Sequence, residues 1–213
     1  MNYQYLALIG WGMVISLILR LLNYTPLSIF ILSAGTFLSG FIIAIGIYHL
    51  YQTKPIFGYA LVPAVLLMIM KTAEPLLLQF LAEHVEILAS YTVHGDEYLA
   101  IFFLWVAFRE FLTAILYGTL LKGTHELALE ARNFSMDASS KLLLTTIIVI
   151  QFIIILLSLA LTIVVRLHEG WLFAYLWHGY FLRRLLTVTF LVRTAVEASI
   201  IYRVYYLNKY CPK

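Results

Sequence analysis

LLLTTIIVIQFIIILLSLALTIVV, residues 142–165, carries no charge, no proline and no glycine, and it decides the class of fold. At a rise of 1.5 Å per residue, about 20 apolar residues in a helix cover the roughly 30 Å of a bilayer's hydrocarbon layer. The apolar residues run on without the alternation a membrane barrel strand requires. Backbone groups in lipid must bond within their own segment, so the stretch reads as a transmembrane helix.

Five more runs of the same kind flank it: roughly 5–22, 28–51, 57–81, 98–121 and a last span ending near 207. A soluble domain is about half apolar and a quarter charged. Here 63% of residues are hydrophobic and 12% charged, with a mean hydropathy of +0.93. The spans consume nearly all of the 213 residues, leaving no room for a soluble domain of the usual size. The expected fold is therefore an all-α integral membrane bundle of about six transmembrane helices, a single polytopic domain over residues 1–213. The run from Tyr5 to Leu22 has no basic region before it and no small-residue cleavage site after it, so it reads as a retained helix.

The last span has two readings, because Trp171 to Leu207 is too long for one crossing and holds Arg183 and Arg184 partway. In the first, Trp171, Phe173, Tyr175, Trp177, His178, Tyr180 and Phe181 form an aromatic interfacial or re-entrant segment and Leu185 to Leu207 crosses. In the second, one long helix crosses at a tilt.

Six spans put Lys54, Lys122, Arg132, Lys141, Arg203, Lys209 and Lys213 at one face, and Arg20, Arg166, Arg183 and Arg184 at the other. The positive-inside rule then places both termini in the cytoplasm. The connector from Glu83 to Glu97 carries acid without Lys or Arg and falls outside. The longest cytoplasmic connector, Lys122 to Lys141, reads either as a short surface helix holding Thr124, Glu126, Leu127, Glu130 and Arg132, or as a solvated linker; Asp137 can cap the span after it.

Six charges stand inside the apolar runs: Lys71, Glu74, Arg109, Glu110, Arg193 and Glu197. Each costs about 2.5–3.5 kcal/mol at the centre of a membrane helix if unpaired, so they are expected to pair or to face water. All but Glu74 fall within about 5 Å of their helix centres, and Glu74 lies slightly further out. Lys71 with Glu74 at i,i+3, and Arg193 with Glu197 at i,i+4, share a helix face and are expected to neutralise internally. Arg109 and Glu110 point about 100° apart, so the expectation is that they do not pair with each other and that at least one reaches another helix. Helices three, four and six should then meet around a polar centre.

Pro75 removes the donor that would serve the carbonyl of Lys71, and Pro63 does the same for Tyr59, which predicts a kinked third helix. Broken helices near the midplane are where transporters hold ions and substrates. The plainer alternative is a kink whose freed carbonyl is satisfied by Thr72 or a water. Lys71-Thr72-Ala73-Glu74 is echoed weakly by Arg193-Thr194-Ala195-Val196-Glu197, too short a match to establish a repeat.

Other groupings carry less. Glu83, His84, Glu86, His94, Asp96 and Glu97 have no diagnostic metal-ligand spacing and read as a solvated acidic loop. No span holds two histidines, which disfavours haem, and no cofactor is expected. The lone Cys211 permits neither an intrachain disulfide nor a cysteine metal site, and its Cys-Pro-Lys setting is not a prenylation box. Gly35, Ser39, Gly40, Ala44 and Gly46 give the second span a small-residue surface for close helix packing or for a partner subunit. The net charge of +3 sits at span ends, a topology signal and not a nucleic-acid footprint. The partners expected are the lipid bilayer and either further copies or other membrane subunits.

Zinc-helix, nucleophile-elbow and phosphate-loop motifs are missing. Three functions remain. The first is a small transporter or ion- or proton-conducting protein, or a membrane subunit of one, using the paired charges. The second is a sensor or assembly subunit whose charges dock partner helices. The third, an intramembrane lipid enzyme with Glu110 or Glu197 as base, has the least support. The bias of basic residues fits a cell membrane or an organelle membrane.

Overall fold

A computed structural model describes residues 4–22, 29–88, 94–130, 134–166 and 180–210. These residues form six α-helices and one 3-10 turn, without strand: α1 (Gln4–Leu22), α2 (Ile29–Thr53), the turn Pro55–Phe57, α3 (Gly58–Leu88), α4 (His94–Glu130), α5 (Phe134–Arg166) and α6 (Tyr180–Tyr210). Four stretches are long and apolar enough to cross a membrane: Ile31–Thr53, Pro55–Leu77, Ala100–Glu130 and Leu142–Ile163; Tyr5–Leu19 in α1 is a shorter apolar helix. The described residues thus form a helical fold suited to a membrane.

Consecutive helices pack side by side from α1 to α5, and α6 lies against α1, α4 and α5. Small residues set the closest approach. A Cβ on Gly46 of α2 would stand 3.0 Å from the Tyr5 carbonyl oxygen of α1 and 2.7 Å from Ile9. Ser39 donates to the carbonyl of Gly12 at 2.9 Å, while Gly40 faces Met68 of α3. The small-residue surface of α2 is therefore occupied by α1 and α3 of the same chain, as expected for close packing in lipid.

Every helix gives to one buried core, which holds Leu6, Ile47, Leu67, Leu116, Ile147 and Ile200 among others. The outside is equally apolar, with Trp11, Phe41, Tyr59, Leu142, Phe152 and Tyr202 exposed. Buried polar residues include Glu110, Glu197, Gln151, Thr113 and Arg203. An apolar exterior around a partly polar interior is the arrangement hydrocarbon demands.

Several expectations are revised. Lys122 to Glu130 is neither a surface helix nor a linker but a continuation of α4, with Thr124, Leu127 and Ala128 buried. The cause lies at the start of α3: Phe57 is fully buried in the 3-10 turn, against Gly123 of α4, where a Cβ would collide with its ring. Lys54, just ahead of that turn, forms an ion pair with Glu130. Most of the connector expected from Glu83 to Glu97 is helical too, since α3 runs to Leu88 and α4 starts at His94. Arg203, near the end of α6, is buried. Residues 171–179 of the expected aromatic segment lie outside the described residues, as does Cys211, while its last two members, Tyr180 and Phe181, belong to α6, which also includes Arg183 and Arg184. α3 continues as one helix through Pro63 and Pro75.

Candidate functional site

Glu74 on α3, Arg109 and Glu110 on α4, and Arg193 and Glu197 on α6 form one continuous chain of ion pairs. Arg109 donates through Nη1 to Glu74 Oε1, and through Nε and Nη2 to Glu110 Oε1 at 3.0 and 2.8 Å. Arg193 Nη1 donates to both oxygens of Glu110 at 2.9 and 3.0 Å, and its Nε lies 3.4 Å from Glu197 Oε1. The Tyr117 hydroxyl closes the chain by donating to Glu197 Oε1.

Each contact follows from local helix geometry. Glu110, Thr113 and Tyr117 recur at i, i+3 and i+7, which sets them on one face of α4; all three are buried. Arg193 and Glu197 share a face of α6 at i,i+4. Arg109 is offset from that face by one residue, and its side chain meets Glu74 of α3. Thr113 donates its hydroxyl proton to the Arg109 carbonyl at 2.8 Å, so that donor is spent within α4.

Two pairing expectations fail. Arg109 and Glu110 do pair with each other. The angle between neighbouring Cβ directions does not bind a guanidinium, whose long stem and forked donors sweep back across it. Glu74 bonds to Arg109 across the helix interface, and not to Lys71 as the i,i+3 spacing implied; Lys71 is half-buried and engaged as well. Thr72 does not serve the carbonyl that Pro75 frees, because its hydroxyl donates to Met68 at 2.7 Å.

Exposure falls from Glu74 through Arg109 to Glu110 and stays low from there to Glu197. The side chain of Glu110 is 1% exposed and that of Glu197 4%, whereas Arg193 is 11%, Arg109 18% and Glu74 25% exposed. The site has a closed end at Tyr117 and Glu197 and an open end at Glu74 and Arg109. Three carboxylates and two guanidiniums leave one excess negative charge, which the ammonium of Lys71 matches in number.

The chemistry open to this arrangement is limited. A guanidinium does not release its proton, so a proton cannot pass through Arg109 or Arg193 as carriers. Glu110 is bracketed by two guanidiniums and Glu197 by a guanidinium and a phenol, while Glu74 meets Arg109 alone in the chain. No group of three or more potential metal-binding side chains occurs among the described residues.

Tyr117 was not legible as a member, although its i+7 spacing from Glu110 within one span was the signal available. Gln151, buried in α5 and without a charge to mark it, was missed as well. Comparison with known proteins finds no match, whether to a family model, a curated protein or a solved structure.

Proposed function

We propose that the chain is a small transporter or ion- or proton-conducting membrane protein, or the membrane subunit of one, and that the ion-pair chain is its coupling site. The observation that carries this reading is the gradient of exposure from Glu110 to Glu74. A lock that only fixes helix positions gains nothing from an open end, whereas a site that exchanges a bond with a solute needs one. In this account Glu74 is the exchanging carboxylate, leaving Arg109 for a proton or cation. Glu110, Arg193, Glu197 and Tyr117 hold Arg109 in place, and Lys71 balances the charge. A bend at Pro75 with the freed carbonyl of Lys71 would add a ligand beside Glu74, and Pro63 a second irregularity.

The same account sets both termini in the cytoplasm, by the distribution of basic residues, and uses six crossings in a cell or organelle membrane. Its partners are the bilayer and either further copies or other membrane subunits.

The test is flux in proteoliposomes, with imposed proton, sodium and potassium gradients read by a pH-sensitive dye and ion-selective electrodes. Glu110→Gln should abolish or strongly reduce whichever flux the protein supports. Full flux in that variant refutes the coupling role.

The second reading, an assembly or sensor subunit whose charges fix how helices meet, is favoured by one observation: both oxygens of Glu110 are already engaged. Buried ion pairs serve registry well. On that reading no flux occurs, and Glu110→Gln instead releases a co-purifying membrane partner.

A further inference from the structure

Gln151 is 1% exposed, and neither its Nε2 nor its Oε1 meets a hydrogen-bonding partner. It lies at the centre of the buried face of α5, four residues after Ile147 and seven before Ser158, both also buried. Two contacts fix its level against α4. Gly118 faces Leu144, with an added Cβ at 3.7 Å from that side chain, and Leu161 clusters with Ala100 and Phe103. Both describe antiparallel helices in one register, and interpolation sets Gln151 within about one residue of Glu110 along the bundle.

The neighbouring chemistry narrows what could satisfy this amide. Glu110 Oε2 accepts only from Arg193, so it keeps a lone pair. A cation entering there would meet Arg109 and Arg193, and an anion would meet Glu110. An uncharged group that both donates and accepts suits the amide and the spare carboxylate oxygen together. Leaving both halves of a buried amide unpaired is unfavourable, and an apolar residue of similar volume would avoid it.

We infer that the α4–α5 seam at Gln151 binds a small uncharged hydroxyl group, that of water or of a small polar solute, bridging the amide to the ion-pair chain at Glu110. The inference extends the proposed function, since the guest would sit beside the charges assigned there to coupling, yet it is tested without any flux.

The experiment places a single cysteine at Gln151→Cys in a Cys211→Ser background, in proteoliposomes, and follows its reaction with 2-hydroxyethyl methanethiosulfonate. Only a thiolate reacts, and a thiol in hydrocarbon does not ionise, so the rate reports polar surroundings; reaction at least about tenfold faster than at Ile148→Cys is expected. Ile148 is half exposed on the outer, apolar side of the same helix. A rate no faster than at Ile148→Cys overturns the inference. Gln151→Leu is the second variant, read by melting temperature: a fall is expected if the amide bonds a guest, and a rise or no change shows a dry seam and overturns it. Fast labelling at 151 combined with flux indifferent to Glu110→Gln would keep the guest site and remove the transport reading.

Discussion

Glu110 is held by two arginines from two directions, so removing its charge leaves two buried guanidiniums short of a partner. Breaking a buried pair by deleting one member costs about 3–5 kcal/mol, and Glu110→Gln is expected near that range in a melting experiment in detergent. Glu74→Gln should lose clearly less, because Glu74 is 25% exposed and surrenders one bond where Glu110 surrenders several. A melting temperature for Glu74→Gln as low as for Glu110→Gln would contradict the graded burial. Tyr117→Phe removes the hydroxyl that bonds to Glu197 Oε1, and a loss of about 1–3 kcal/mol is expected, read the same way. At this scale the sequence showed which charges share a depth, because depth follows from counting along a helix. It did not show who bonds to whom, because a glutamate or arginine stem is long enough to choose between its own helix and the next. Glu74 chose Arg109 over Lys71 for that reason.

Among the helices, the glycines separate two kinds of contact. Gly123 of α4 lies under the Phe57 ring, with no room for a methyl group, while Gly118 faces Leu144 at ordinary contact distance. Gly118→Ala should therefore be neutral or raise stability by up to about 1 kcal/mol through helix propensity. Gly123→Ala should lower stability by about 1–3 kcal/mol through overpacking, and the two variants compared by thermal melting in detergent check the difference. The same contact explains why α4 outruns its expected end. Hydropathy marks where a helix leaves lipid, but Phe57 and the Lys54–Glu130 pair keep the helix packed beyond that point. No pattern in residues 122–130 alone carries that information. The long apolar runs were legible because continuous hydrophobicity over 142–165 allows few other structures. Boundaries set by a partner helix were not.

On the scale of the whole molecule, the contacts put the start of α1 and the end of α6 at the same end of the bundle: Tyr5 lies by Gly46, Phe57 by Gly123, and Val204 by Gly10. Reporter fusions at the two termini should accordingly give the same side of the membrane, the cytoplasmic one by the basic-residue bias; opposite sides would require an odd number of crossings. An apolar outer surface encloses a core in which α3, α4 and α6 share one line of charge, open at Glu74 and shut at Tyr117. Water reaching the open end and stopping before the closed one is the claim on which the transport reading stands. The most direct test labels single cysteines at Ala73, Val106 and Val196 in a Cys211→Ser background with a membrane-impermeant thiol reagent, using Gln52→Cys at the exposed end of α2 as the reactive control. The account predicts labelling at 73 and 106 and protection at 196; protection at all three positions, with Gln52→Cys fully labelled, would contradict it.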